Sequence, residues 1–141
     1  MADIVFNSFL SDVFAGNCNT THSYKGILVA STYTENRATH TKRSDVTGEV
    51  SGTGYTAGGN AVTLSVAVNN TTNVLTLTIG AVSWPSSTIT ARKLVVYRAR
   101  GGAASADELV CCVDNGADLV SSNTTLSFAA STWEITLPAA T

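Results

Sequence analysis

The segment around Gly52 contains a match to a cofactor-binding motif, since Gly52, Gly54 and Ala57 fit the loose fingerprint G-x-G-x-x-A. In a dinucleotide-binding protein such a loop is followed by a helix whose N-terminus faces the phosphates, and an acidic residue comes about 20 positions later. Here the glycines precede NAVTLSVAV, which alternates apolar and polar residues as a strand does. The segment therefore predicts a tight turn, and we expect no cofactor.

The residues that could do other chemistry are scattered along the chain. His22 and His40 have no carboxylate or cysteine at a ligand-like spacing, and Cys18, Cys111 and Cys112 lack the paired spacing of a zinc site. The sequence has no GxSxG elbow and no carboxylate pair suited to glycoside hydrolysis. We therefore predict a non-enzymatic protein that binds no metal and keeps three reduced thiols.

Composition limits the remaining classes of protein. A chain of 141 residues with 44% hydrophobic content suits one domain, residues 1–141, with its own core. Charged residues are only 13% of the chain and the formal net charge is −2, without the basic stripe that neutralises phosphates. No apolar stretch is long enough to cross a membrane. We therefore expect neither nucleic acid nor a membrane as a partner.

Residues 3–16, DIVFNSFLSDVFAG, carry the helix signal, because apolar residues recur there at spacings of three and four. Asp3 is suited to cap the start of this helix, and Gly16 to end it. Two interpretations of its apolar face remain open. The helix covers an open end or face of a sheet, or it is an arm that docks on a neighbouring subunit.

The rest of the chain, residues 24–141, indicates an all-β fold, either a β-sandwich or a partly closed, jelly-roll-like barrel. The alternation over 60–68 predicts one half-buried strand that pairs with the strand after the turn at 69–73. The continuous apolar run at 94–96 predicts a strand covered on both faces. The sequence DNGAD at 114–118 predicts a turn.

Several blocks of the sequence, in this order, carry a resemblance to a known family: NSFLSDV, KGILVASTY, RSDVTGEVSGTGYTAGGNAV and WPSSTITARKLVVYR. With the closing hairpin they span nearly the whole chain, and GTGYTAGG and WPSSTITAR are the most specific. The chain resembles small virion structural proteins of tailed bacteriophages. The resemblance implies a capsid or tail component without catalytic activity.

The expectation that follows is a capsid decoration (cement) protein, made in the host cytoplasm and bound to the outer surface of the virion head. Its partner would be the phage major capsid protein, and virion symmetry favours a homo-oligomer, for which we expect a trimer. The residues predicted to contact a partner lie in the N-terminal segment, in the polar loop 34–45 and in the basic group at 92–100: Phe6, Phe9, Arg37, Lys42, Arg43, Arg92, Arg98 and Arg100.

Two alternatives remain open at this point. The protein could be a tail, baseplate or head-to-tail connector component, which predicts a fixed, low copy number. It could also be a module that binds carbohydrate on the host surface, which requires exposed aromatic rings. Trp84, Trp133, Tyr33 and Tyr55 are the candidates for such rings, although both tryptophans suit a core better.

Overall fold

Strands are the predominant secondary structure of the chain, as its alternating apolar residues predict. The computed structural model describes residues 3–139, so both ends of the predicted domain 1–141 lie outside the described residues. The described range contains one α-helix and ten strands: α1 (Asn7–Phe14), β1 (Ile4–Val5), β2 (Tyr24–Val29), β3 (Asn60–Val62), β4 (Leu64–Asn69), β5 (Val74–Ile79), β6 (Val82–Ser87), β7 (Thr90–Arg98), β8 (Leu109–Val120), β9 (Thr124–Phe128) and β10 (Ser131–Thr136).

The strands form three antiparallel sheets. The main sheet has the order β1-β8-β7-β2-β3, the second has the order β10-β5-β4, and the third pairs β6 with β9. Across residues 3–139 these sheets are not closed into a barrel. The fold is all-β and sandwich-like, which confirms the β-sandwich among the two predicted architectures.

The main sheet is covered on both faces, and successive residues of β7 face opposite cores. Leu94 belongs to the larger hydrophobic cluster, which includes Trp84 of β6, whereas Val95 belongs to a smaller cluster with Phe6 and Tyr33. Side chains alternate across a strand, so both clusters draw on the same strand. This confirms the doubly covered strand predicted at 94–96.

The cysteines follow the same alternation. Cys111 lies in the larger cluster and Cys112 in the smaller one, and all three cysteines are buried and free. Burial is the main cause that raises the pKa of the Cys18 thiol to about 11 and that of Cys112 to about 12. These thiols are therefore protonated at neutral pH and serve as apolar core residues.

The N-terminal helix is shorter than predicted. Ile4 and Val5 form β1 and pair with Cys112 and Cys111, so the helix begins at Asn7 and not near residue 3. Asp3 does not cap it, because its carboxylate accepts a hydrogen bond from the backbone N–H of Asp114. Two β-branched residues beside the edge of β8 pair with that strand in preference to starting a helix.

The stretch 60–68 is two strands instead of one. β3 ends at Val62 and joins the main sheet, while β4 begins at Leu64 and joins the second sheet. Val62 and Leu64 are buried, but Val66 and Val68 on the same alternation are exposed. The chain passes from the main sheet to the second sheet at Thr63. Val66 and Val68 therefore lie beyond the edge of the core and are not covered by it.

The sequence DNGAD lies inside β8 rather than in a turn between strands. Ala91 pairs with Leu119 and Lys93 pairs with Asp114, so residues 115–118 form a bulge without partners on β7. The carboxylate of Asp114 accepts the backbone N–H of Gly116, at 2.8 Å, and supports the bulge.

Candidate functional site

A groove of about 350 Å³ lies between α1 and the sheet β10-β5-β4. Leu10, Val13 and Phe14 line it from α1, and Val66 and Ile135 line it from the two edge strands of the sheet. None of the described residues around it is charged. The groove therefore offers shape and apolar surface rather than groups that bind ions or transfer protons.

Cross-strand pairing explains why the floor of the groove is apolar. Val66 of β4 lies opposite Leu77 of β5, and one step along the sheet Val68 lies opposite Leu75, which lies opposite Ile135 of β10. Residues paired in this way share one face of a sheet. Leu77 is buried in the core, whereas the next step of the face extends beyond the core and is only partly covered.

The helix supplies the opposite wall for a similar reason. Its apolar stripe is wider than the core that it covers, because eight residues carry Phe9, Leu10, Val13 and Phe14. Phe9 is buried, while Leu10 and Val13 are partly exposed and Phe14 is 90% exposed. A large aromatic ring that stays in water is unusual and indicates a contact surface.

Exposed apolar residues are concentrated at this groove. Eight large apolar side chains of residues 3–139 are more than a third exposed, and six of them line the groove. A seventh, Val68, lies two residues beyond Val66 on the same side of β4. Val120 lies elsewhere, on β8. Such clustering distinguishes an interaction surface from scattered exposed residues.

The two phenylalanines predicted as partner contacts lie inside the chain. Phe6 packs in the smaller core cluster and Phe9 in the larger one, and almost none of either ring is exposed. In this conformation Phe6 has no surface for a partner, and Phe9, although buried, forms part of the inner lining of the groove. Their neighbours Leu10, Val13 and Phe14 have that surface, and their spacing on an eight-residue helix was the signal that could have identified them.

Most of the basic residues predicted as partner contacts form polar contacts within the chain. Arg43 pairs with Asp107 and Arg92 with Asp114, both at 2.8 Å. Lys42 and Arg100 both pair with Glu108, and the guanidinium of Arg98 donates to the backbone carbonyl of Asn17.

Arg37 differs from these basic residues. Its side chain is exposed and makes no ion pair with another residue in the 3–139 range. Its backbone carbonyl accepts the N–H of Asn7, at 2.9 Å, which ties the polar loop to the start of α1. The charge of Arg37 is thus available to a partner.

The ion pairs at Asp107 and Glu108 fasten the polar loop 34–45 to the main sheet. Both carboxylates are nearly inaccessible to solvent. The backbones of Lys42 and Glu108 also pair with each other in an isolated antiparallel β-bridge. Arg43 also lies over the ring of Tyr97, 4.8 Å from its centroid. Opposite charges far apart in sequence therefore hold this loop in one position.

Burial by itself raises the pKa of the Glu108 carboxyl, but other contacts outweigh burial. Hydrogen bonds from the Arg100 guanidinium and the nearby charge of Lys42 leave this pKa below its ordinary value of 4.5. Glu108 is therefore ionised in the folded protein at neutral pH. Its stabilising contribution is fully present above the unfolded-state pKa and is lost as the pH falls through the lowered folded-state pKa.

Glu108→Gln is expected to lower the free energy of unfolding by about 2 kcal/mol at neutral pH, because the Arg100 and Lys42 charges lose their anionic partner. Urea unfolding at neutral pH and in acid measures the effect, and the two proteins should converge once the pH falls below the lowered folded-state pKa of Glu108, where wild-type Glu108 is also neutral. Glu134→Gln on β10 is the control, since this carboxylate is exposed. A difference that is the same at both pH values would contradict the charged role of Glu108.

Neither histidine lines the groove. Nδ1 of His40 lies 2.9 Å from the hydroxyl of Tyr33, while His22 lies before β2. Within residues 3–139 no three His, Cys, Asp or Glu side chains gather as metal ligands would. In that same range no helix is long and apolar enough to span a bilayer.

Comparison with known proteins finds no family model, no curated protein and no solved structure that matches the chain.

Proposed function

We propose that the chain is a non-enzymatic structural protein of a tailed-bacteriophage virion. It binds the outside of the head and bridges neighbouring major capsid subunits. The observation that carries the proposal is the apolar groove between α1 and β10-β5-β4, whose exposed side chains favour contact with another protein. The resemblance to virion proteins supports a structural role in the capsid or the tail.

The groove favours adhesion over catalysis because of the groups that line it. Its described lining has no carboxylate, histidine, lysine or arginine, and Cys18 is buried with a raised pKa. A fully exposed phenylalanine side chain gains about 1.5–3 kcal/mol when a partner covers it. Phe14 and its apolar neighbours therefore provide binding energy without providing groups for chemistry.

Arg37 and the polar loop that carries it supply a second exposed surface, and this one suits the proposed capsid contact. Ion pairs at Asp107 and Glu108 hold the end of the loop against the main sheet, so the loop meets a partner with little further loss of conformational entropy. Each contact of this size is modest. On a symmetric head lattice several contacts act together, and the effective concentration makes their sum strong.

The second candidate function is a tail, baseplate or head-to-tail component. The apolar groove fits that location equally well, because a neighbouring protein subunit is the partner in both cases. The two locations differ in the number of copies per particle. A decoration protein follows the head lattice, whereas a tail or connector component follows a single symmetry axis.

The carbohydrate-binding alternative lacks the exposed platform that it needs. Trp84 and Tyr33 are buried in the two core clusters, Tyr55 packs against Trp84, and Trp133 is partly buried against the larger cluster. Sugar rings stack on open aromatic faces. The exposed aromatic ring described above, Phe14, lies instead beside an apolar groove.

Copy number per particle tests the proposal. Quantitative mass spectrometry of purified particles should find about one copy per major capsid subunit, or a simple fraction of that number. Purified protein added to heads that lack it should bind them and raise their disruption temperature, and Arg37→Ala should weaken this binding relative to the control Lys25→Ala. A few dozen copies or fewer would move the protein to the tail or neck. Absence from particles would overturn the proposal.

A further inference from the structure

We propose that a second copy of this chain occupies the apolar groove, so that the Phe14 ring of one copy packs into the groove of another. The inference rests on the proposed function in one respect, that the groove is a protein contact. It adds the identity of the partner at this surface and separates it from the surface that meets the capsid.

The first observation that favours a second copy is the apolar area that the groove exposes. Seven exposed apolar side chains lie in or beside the groove, and together they expose on the order of several hundred Å² of apolar surface. The largest apolar patch of an ordinary monomer is about 300–600 Å², and a stable interface covers about 800 Å² of each partner. The patch is thus large enough to form the apolar centre of such an interface, whose polar rim supplies the remaining area.

The second observation is the absence of charged side chains from the described lining of the groove. An interface between identical chains repels itself when its surface carries net charge, because like charges then face one another across the contact. The described lining of this groove has no charged side chain, although basic and acidic residues occur elsewhere on the same chain. A second copy brings an equally uncharged surface, so neither copy has to bury an unpaired charge.

The third observation is that β4, an edge strand of the second sheet, is unprotected. β4 is an edge strand whose sequence LSVAVN contains no charge and no proline, and it pairs with β5 without a bulge. Proteins that leave such an edge in water usually protect it with charges, proline or a bulge. β10, the other edge of this sheet, carries the exposed Glu134. The unprotected edge strand, β4, thus lines the groove through Val66.

The fourth observation is the shape of the groove and of the helix end beside it. Phe14 projects from the C-terminal end of α1, while Val66, Leu75 and Leu137 line the groove from the sheet side. Because Phe14 also lines the groove, the projection and the recess lie side by side on one surface, and this suits a contact in which each of two copies places its Phe14 in the groove of the other.

Sedimentation velocity of the purified full chain tests the inference. Wild type should sediment as a homo-oligomer, and Phe14→Ser should weaken self-association at least about tenfold, since a buried aromatic anchor is removed. Val68→Thr and Val120→Thr form a matched pair on exposed strand positions, 52% and 71% exposed. The first should weaken association, and the second should leave it unchanged. Circular dichroism confirms that each variant is folded.

Each further outcome separates the inference from the proposed function. Monomeric wild type at high micromolar concentration overturns the inference. If such a monomer still binds purified heads and Phe14→Ser abolishes that binding, the groove contacts the capsid and the proposed function stands. If wild type self-associates through Phe14 but does not bind heads, the inference stands and the head location fails.

Discussion

Gly59→Ala is expected to prevent stable folding. Gly59 has a φ of +74°, and a Cβ at this position would lie 1.8 Å from the carbonyl oxygen of Gly26 and 2.6 Å from its carbonyl carbon. Both atoms belong to the backbone of β2, where Gly26 pairs with Asn60 and with Val96. Because β2 is held from both sides, the clash cannot be relieved without breaking the main sheet. We expect a loss above about 4 kcal/mol, among the largest for single substitutions.

Gly101→Ala is the matched control for this prediction. Gly101 has a similar φ of +81°, but no atom lies within 4 Å of the Cβ that alanine would add. Its expected cost is about 1–2 kcal/mol, the strain of an L-residue in the left-handed region. Urea unfolding, followed by far-ultraviolet circular dichroism, compares the two variants. Equal losses would mean that backbone strain alone, and not the approach of β2, explains the need for glycine at position 59.

Trp84→Ala is expected to lower the free energy of unfolding by about 4 kcal/mol, within the range for removing a buried aromatic side chain. Trp84 is 1% exposed and lies in the larger core cluster, with the ring of Tyr55 at a centroid distance of 6.0 Å. Its indole N–H has no hydrogen-bond acceptor among the described residues. The loss therefore reflects missing apolar contacts and the cavity that remains.

Trp133→Ala tests whether burial, rather than residue type, determines the effect. Trp133 lies on β10, is only partly buried, and packs at the margin of the same cluster. Its removal should cost about half as much, because part of the ring already contacts water. Thermal unfolding followed by circular dichroism suits both variants, since each removes a tryptophan. If the two variants lose the same stability, Trp84 is not the principal packing residue.

The elements predicted correctly are those that depend on local pattern. The apolar run at 94–96 indicated a strand covered on both faces, and the strands on either side of the turn at 69–73 pair as a hairpin. The cysteine spacing likewise indicated free thiols. In each case the period of side chains along the backbone determines which face is buried, whatever the rest of the chain does.

The errors arose where a distant segment competed with a local preference. The apolar spacing over 3–16 predicted one helix, but the edge of β8 pairs with Ile4 and Val5. The alternation over 60–68 predicted one strand, but the chain leaves the main sheet at Thr63 and enters the second sheet. The sequence at 114–118 has the composition of a turn, yet it is a bulge because β7 pairs with the residues on both sides.

The features of the candidate site likewise fall into those that depend on local sequence and those that depend on contacts between distant segments. The amino-acid sequence by itself determined that the chain is all-β, sparingly charged and supplied with an amphipathic N-terminal helix. Only the tertiary structure decided that Phe6 and Phe9 are buried while Phe14 is exposed, and that Arg43, Arg92 and Arg100 are paired with acidic residues. The physical reason is that exposure and ion pairing depend on which distant segments meet, whereas helix and strand periodicity depend on neighbours along the chain.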